Sequence, residues 1–291
     1  MSVVVARAEL VGVANRYLDA LAARDPAGLP LAETARATEN GQHVPVGRGL
    51  WGTAAGRAGA GVHVADPVSG QVVWFGVVEE LSGPAILALR LKLEDGLITE
   101  IEQLVGRRTL TALGTVYDPT NVAARASVYD EAVDPSERTS REDLARIANL
   151  YLDGIVQDDG DLIPVGDDVA RIENGVQCTL AADSDREHRR LGVAAQINAG
   201  YTKQVEVARA RRVSAIDTER GLVVIHFVFD HPGNRANGAG RVVHGYPNSM
   251  PATELFKVRG GQIRQIEAVL DLTTYGAPSG WEHQTPDPSH W

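Results

Sequence analysis

The sequence has a single cysteine and lacks any apolar run long enough to cross a membrane. Its one thiol, Cys178, cannot form an internal disulfide, so the chain is compatible with a reducing compartment. The first residues lack the basic start and long apolar stretch of a secretory signal. No later run approaches the roughly 20 apolar residues of a membrane span. These absences predict a cytoplasmic protein without a membrane partner.

An excess of positive charge is also lacking. The chain carries 28 Lys and Arg against 38 Asp and Glu, a formal net charge of −10. Because phosphate contacts require a basic surface, this balance argues against a nucleic acid as partner. A local cluster of Arg209, Arg211 and Arg212 lies in a strand-like stretch. A solvated strand end explains the cluster, and the alternative is that Arg209 binds an anionic or oxyanion part of a ligand.

Several catalytic and cofactor motifs are absent or incomplete. The sequence has no G-x-S-x-G elbow and no H-E-x-x-H zinc motif. Residues 47–52 match the dinucleotide pattern G-x-G-x-x-G by letter, but further glycines follow instead of a helix whose N-terminus would bind phosphate. The histidines of the C-terminal half lack compact ligand spacing on one element. We therefore expect no metal and no cofactor.

What the sequence does contain is one pattern twice. Asn-Arg-Tyr-Leu-Asp at 15–19 returns as Asn-Leu-Tyr-Leu-Asp at 149–153, and the Glu-Asn-Gly motif at 39–41 returns at 173–175 with the same offset. A later block, 92–98, matches 257–263 with a larger offset. Two copies of one domain are therefore fused, and the second contains about thirty extra residues.

Each copy begins with an amphipathic helix and continues with strands. Apolar residues recur at three- and four-residue spacing from Leu10 and from Leu144. Alternating strand-like runs with glycine turns follow. A helix followed by antiparallel strands predicts an α+β fold, in which a curved sheet wraps around helices. We divide the chain into an N-terminal domain (1–110), a linker (111–138), a C-terminal domain with a longer loop (139–275) and a tail (276–291).

These motifs resemble the nuclear-transport-factor-2-like (NTF2-like) superfamily, including its SnoaL-like members, over most of residues 8–281. The resemblance rests on the Tyr-Leu-Asp helix, the Glu-Asn-Gly turn and the closing Gly-x-Ile-x-x-Ile strand. Shorter segments, among them 39–42 and 279–281, resemble a family of bacterial and fungal proteins known mainly as a domain of unknown function. The resemblance implies two tandem cone-shaped domains and either a homodimer or an intramolecular pseudo-dimer.

One strand differs between the copies in a way that points to chemistry. When the copies are aligned through Gly70 and Gly221, Phe75 of the first is replaced by His226 in the second. A polar group on an apolar face costs free energy unless it is satisfied, so His226 and Asp230 are the candidates for a base and its partner. They lie about 13 Å apart along a strand and would line one pocket without touching. A core histidine hydrogen-bonded to its surroundings is the alternative.

Other candidates follow from the first helix and the longer loop. The resemblance implies that the helix lines the cone, where the hydroxyl of Tyr151 can donate to a developing oxyanion; core packing is the alternative. The longer segment between the strand that contains Asp230 and the next strand predicts a lid, a pocket wall or a plain surface loop. The candidate substrate-binding residues are Tyr246, His244, Arg209 and Glu267.

These residues favour a cofactor-free isomerase, lyase or dehydratase that acts on a small, partly apolar molecule in the C-terminal cone. His226 would be the general acid/base, and Tyr151 would stabilise an enolate oxygen. A non-catalytic binding or scaffold protein is one alternative. An epoxide hydrolase or cyclase is another; its chemistry pairs carboxylates around a water or hydroxyl, for example Glu267 with Asp230, and a charge-poor cone would count against it.

Overall fold

The computed structural model describes residues 5–108, 116–124, 127–242 and 245–282. The first domain consists of one long helix and a six-stranded sheet. In chain order its elements are α1 (Arg7–Ala23), β1 (Leu31–Glu39), β2 (Gln42–His43), β3 (Ala54–Asp66), β4 (Gln71–Glu80), β5 (Gly83–Glu94) and β6 (Leu97–Gly106). The strand order is β2-β1-β6-β5-β4-β3, with β1 parallel to β6 and the other neighbours antiparallel.

The second domain repeats this arrangement after two short helices, α2 (Pro119–Ala124) and α3 (Ser127–Asp130). Its elements are α4 (Arg141–Gln157), β7 (Val165–Glu173), β8 (Val176–Gln177), α5 (Glu187–Arg190), α6 (Val193–Asn198), β9 (Val207–Asp217), β10 (Leu222–His231), β11 (Asn248–Arg259), β12 (Gln262–Leu270) and β13 (Thr273–Thr274). The strand order is β8-β7-β12-β11-β10-β9, and β13 pairs with β11. Each strand from β7 to β12 has the same neighbours as its counterpart in the first sheet. The prediction of two tandem cone-like α+β domains is confirmed.

Each long helix packs on the inner face of its own sheet. The buried stripes are Leu10, Val13, Tyr17 and Leu21 in α1, and Leu144, Ile147, Tyr151 and Ile155 in α4. Each stripe shares an apolar core with the inward-facing strand residues of its own domain. In the part of the chain that the structure describes, no helix is long and apolar enough to cross a membrane.

The repeated Glu-Asn-Gly motif joins the first hairpin of each sheet to its last long strand. Asn40 and Asn174 adopt φ values of 47° and 42°, in the left-handed region that asparagine tolerates. The side chain of Asn40 pairs with the backbone N–H and C=O of Val105 at 2.7 and 3.1 Å. Asn174 makes the same pair of bonds with Leu270 at 3.0 and 2.9 Å. These bonds give the motif a structural role in both domains.

The two sheets pack against each other through their outer faces. This layer, the interdomain layer, includes Phe75 from β4, Val224 from β10 and Tyr129 from α3. The C-terminal tail crosses back to the first domain, where Trp281 Nε1 donates to Thr38 Oγ1 at 3.0 Å. The central strands are therefore buried on both sides, by a helix on the inner face and by the other domain on the outer face.

Candidate active site in the second cone

The second cone contains an open cavity of about 210 Å³. Because one water needs only about 10–15 Å³ of such space, this cavity can take a small organic molecule. Part of its wall is apolar and comes from Phe227, Phe229 and Met250 on β10 and β11. Polar side chains from α4, β7 and β11 complete the wall. This mixture of an apolar wall with a few converging polar groups is typical of small-molecule sites.

Three polar side chains meet at one part of this wall: Tyr151 from α4, and Arg171 and Glu173 from β7. Residues two apart on a strand point to the same side, so Arg171 and Glu173 both face the cavity. Arg171 Nε lies 3.0 Å from Glu173 Oε1. A guanidinium nitrogen of Arg171 also donates to the side-chain oxygen of Gln196. The arginine is thus held between a carboxylate and an amide.

Glu254 on β11 is a second carboxyl group in the cavity. Its residue is 4 % exposed, and within the described part of the chain its Oε2 has no hydrogen-bond partner. Burial raises the pKa of Glu254 to about 8, although the charge of Arg171 and the hydrogen bond of Tyr151 act in the opposite direction. The carboxyl group is therefore mostly protonated at neutral pH and can donate a proton to a bound molecule.

The first cone lacks this chemistry at the matching positions. The strand registers place Leu89 where the second sheet has Glu254, and Ala37 where it has Arg171. Both residues belong to the apolar core of the first domain. Because a buried acid and a buried cation are costly in such a core, their presence in the second cone alone indicates a specialised site.

Two tryptophans occupy the inside of the first cone. Trp51 and Trp74 are 2 % and 0 % exposed. Trp51 Nε1 donates to Tyr17 Oη at 3.2 Å. The ring of Trp74 lies against Gly76, where an added Cβ would overlap it. Tyr17, the counterpart of Tyr151, therefore serves packing within a filled core.

A family of known sequences matches most of the chain. The model of one family matches residues 4–105 and 137–270, and this family is described as a domain of unknown function, DUF8021. The chain belongs to this family. No protein with curated annotation matches it in sequence.

Solved structures resemble parts of this DUF8021 chain. A proposed polyketide cyclase from Xanthomonas campestris pv. campestris is 17 % identical over 46 % of this chain and 93 % of its own, with a TM-score of 0.32. A second proposed polyketide cyclase, from Silicibacter sp. TM1040, is 16 % identical over 45 % and 90 %, with a TM-score of 0.33. A proposed isomerase from Bacillus subtilis is 15 % identical over 45 % and 87 %, with a TM-score of 0.32. Similarities at this level do not bear on the activity of the DUF8021 chain.

His226 lies on the face of β10 that points away from the cavity. One ring nitrogen, Nε2, is 2.8 Å from Ser214 Oγ, and the other, Nδ1, is 2.9 Å from Thr253 Oγ1. Nδ1 is also 3.7 Å from a carboxylate oxygen of Glu102 in the first domain. Burial lowers the pKa of His226 to about 3. The prediction that His226 and Tyr151 share one pocket is wrong, because strand alternation directs His226 into the interdomain layer.

Asp230 and Arg209 meet on the same outer side of the sheet. Arg209 Nε donates to Asp230 Oδ2 at 2.7 Å, and Arg209 Nη2 donates to the carbonyl of Ala277 at 2.7 Å. The hydroxyl of Ser249 also donates to Asp230. These contacts attach the C-terminal tail to the sheet. The expectation that Asp230 lines the cone with Tyr151 is therefore wrong, and the guanidinium of Arg209 points to the tail.

The remaining predicted substrate-binding residues lie elsewhere. Tyr246 is 50 % exposed on the surface. Glu267 is buried beside Leu255 on the outer side of the sheet, and His244 lies outside the described residues. The longer segment after Asp230 contributes Asn237 to the cavity wall. Within the described ranges, no group of three or more His, Cys, Asp or Glu side chains is arranged to hold a metal ion.

The sequence contains a signal for the site in two further differences between the copies. In the alignment that matches 92–98 with 257–263, Leu89 of the first copy corresponds to Glu254. In the alignment that matches the two Glu-Asn-Gly motifs, Ala37 corresponds to Arg171. These are the same kind of exchange, apolar to ionisable, as the one at His226. Whether such a side chain lies in the cavity or in the interdomain layer depends on the face of the sheet to which it points, and the sequence does not specify that face.

Proposed function

We propose that the DUF8021 chain is an acid–base enzyme of the isomerase, lyase or dehydratase type, with its active site in the second cone. The observation that supports this most is the buried carboxyl of Glu254, which lines the cavity with the ion pair of Arg171 and Glu173 and whose Oε2 has no hydrogen-bond partner among the described residues. Burial raises the pKa of this carboxyl to about 8. A neutral acid and an ionised carboxylate in one cavity are the two groups that proton transfer in both directions requires.

Each side chain has a defined part in this proposal. Glu254 donates its proton to an oxygen of the substrate, either a carbonyl or a departing hydroxyl. Glu173, which forms an ion pair with Arg171, accepts the proton that leaves the carbon adjacent to the one that bears this oxygen. The hydroxyl of Tyr151 donates to the same substrate oxygen as negative charge develops on it. The substrate is small and partly apolar, because Phe227 and Phe229 also line the cavity.

A second candidate function is the acid-assisted opening of an epoxide by water or by an internal hydroxyl. The observation that favours it is that two carboxyl groups, Glu173 and Glu254, line one cavity together with Arg171. In this reaction Glu254 protonates the epoxide oxygen, and Glu173 removes a proton from the attacking water or hydroxyl. The carboxylate pair expected for this chemistry, Glu267 with Asp230, lies outside the cavity.

Two simple probes distinguish these functions. Exchange of the α-protons of cyclohexanone in deuterated water, followed by proton NMR, measures proton abstraction beside a carbonyl. Hydration of cyclohexene oxide in ¹⁸O-labelled water, followed by mass spectrometry of the diol, measures epoxide opening. We expect E254Q and E173Q each to lower the rate of the active probe roughly 10²–10⁴-fold. Wild-type rates in both variants would contradict an acid–base site.

A further inference from the structure

The wall of the cavity contains an arginine that has no part in the proposed acid–base chemistry. Arg189 lies on α5 and lines the same cavity as Glu254. Its Nε is buried and, among the described residues, has no hydrogen-bond partner. No carboxylate of the described chain lies within ion-pair distance of Arg189. An uncompensated guanidinium is unexpected in a chain whose net charge is −10.

The carboxyl groups of the cavity are occupied with other partners. Glu173 lies 3.0 Å from Arg171, and Asp271 accepts a hydrogen bond from Asn40 at 2.6 Å. Burial raises the pKa of Glu254 to about 8, so that its carboxyl is mostly protonated at neutral pH. Among the described residues that line the cavity, no carboxylate therefore forms an ion pair with Arg189.

The position of Arg189 is fixed relative to the acid–base pair. Gln196 connects the two, because its side-chain oxygen accepts from Arg171 and its Nε2 donates to the carbonyl of His188 at 2.8 Å. The carbonyl of Arg189 itself accepts from the backbone of Ala181 at 2.8 Å. A substrate held at both places would thus be oriented by one connected network.

From these contacts we infer that Arg189 binds a carboxylate on the substrate of this cavity. The inference rests on the proposed function only in naming the bound molecule as a substrate. A guanidinium presents two parallel N–H groups that match the two oxygens of a carboxylate. Arg189, which forms no ion pair with a described residue, can balance the charge of one carboxylate, and the apolar wall formed by Phe227 and Met250 suits a hydrocarbon body. The substrate class is therefore a small oxygenated monocarboxylic acid.

The test compares two probes of nearly equal shape, hexanoate and hexanamide, by calorimetric titration of the full chain at pH 6.5. At this pH Glu254 is protonated and does not repel an anion. We expect hexanoate to bind about tenfold or more tightly than hexanamide, the ratio that one charge-assisted pair supports. The R189M variant should bind the two probes equally, whereas R190M, at an exposed position, should keep the preference.

Each other result overturns the proposal. Equal binding of the two probes, or binding of neither, by the wild-type chain would rule out a carboxylate subsite. A preference that survives in R189M would place the subsite on another residue. The R189K variant keeps the positive charge and should retain part of the preference. It shows whether a loss in R189M comes from the missing charge or from a folding defect. The E254Q variant should keep the preference in full, so that a failure of the acid–base function is distinguishable from a failure of the subsite.

Discussion

At the scale of single residues, Glu254 links the chemistry of the site to the stability of the fold. Its folded-state pKa of about 8 lies above its ordinary value of 4.5. Between these two values the folded chain binds a proton that the unfolded chain has released. Stability must therefore fall as pH rises through this window, and the loss is complete above about pH 8.

The E254Q variant tests this linkage. Glutamine has nearly the same shape and does not titrate, so the variant should lack this pH-dependent loss of stability. We expect the difference in the free energy of unfolding, E254Q minus wild type, to increase as pH rises from 5 to 8. The increase should be at most about 1.4 kcal/mol per pH unit. Urea unfolding at several pH values measures the difference. Parallel curves for the two proteins would show that Glu254 is not protonated in the fold.

Tyr151 and Tyr17 provide a matched pair, because the two tyrosines occupy equivalent helix positions and are both buried. Only Tyr151 lines the cavity, whereas Tyr17 accepts a hydrogen bond from Trp51 inside the filled cone. We expect each substitution by phenylalanine to cost about 1 kcal/mol of stability. Only Y151F should slow the reaction, by roughly tenfold or more. An equal loss of activity in Y17F would point to a general effect on the fold.

At the scale of elements, the sequence predicts the repeated helices, strands and hairpin turns well, because spacing and turn residues are local signals. Local signals in the sequence do not show which face of β10 points into the cone and which points to the other domain. Every residue of β10 is buried, since a helix covers one face and the other domain covers the opposite face. Alternation then shows which side chains share a face, and it leaves open which face looks into the cone. This ambiguity explains the misplacement of His226 and Asp230.

Two helix glycines give a prediction at the same scale. An added Cβ at Gly12 in α1 would contact nothing within 4 Å, whereas at Gly154 in α4 it would lie 2.6 Å from a side-chain carbon of Ile163. We expect G12A to raise the free energy of unfolding by up to about 1 kcal/mol, through better helix propensity. G154A should lower the free energy of unfolding, because the added methyl group would push α4 away from Ile163. Thermal unfolding of both variants measures the signs, and stabilisation by G154A would refute the close packing there.

At the scale of the whole molecule, the interdomain layer contains a buried polar cluster. Glu102 of the first domain forms ion pairs with Arg90 and Arg212, both at 2.7 Å, and lies beside His226. Burial opposes the ionisation of Glu102, but the neighbouring His226, Arg90 and Arg212 together lower its pKa to about 2. The ring of Trp281 in the tail lies over the guanidinium of Arg90, 4.5 Å from ring centroid to carbon. The two domains and the tail are thus joined by a cluster of buried charges.

Acidification should weaken this cluster. The folded-state pKa of His226 is about 3, below its ordinary value of 6.5, so the unfolded chain binds the proton first as pH falls through this window. We expect the H226Q variant, which can keep bonds to Ser214 and Thr253, to lose less stability than the wild type between pH 6.5 and pH 4. The slopes should differ by at most about 1.4 kcal/mol per pH unit. Identical slopes in urea unfolding would exclude a neutral, buried His226.

The duplication also explains how far the site itself could be predicted. Tyr151 is predicted from the resemblance, which implies that the first helix lines the cone, and its side chain lines the cavity. Glu254 and Arg171 define the difference between the cones and appear only when the two copies are compared position by position. Their burial, and the pKa that follows from it, depend on packing between strands that are distant in sequence, which a local pattern does not reveal.

The most direct measurement of the central claim is a carboxyl-carbon NMR titration of the chain labelled with ¹³C-glutamate, with E254Q to identify the resonance of Glu254. A titration midpoint near pH 8 is the predicted result, and it would establish a proton donor inside the second cone at neutral pH. A midpoint near the ordinary value of 4.5 would mean that the carboxyl is solvated and ionised. That result would contradict the account of the second cone as an acid–base site.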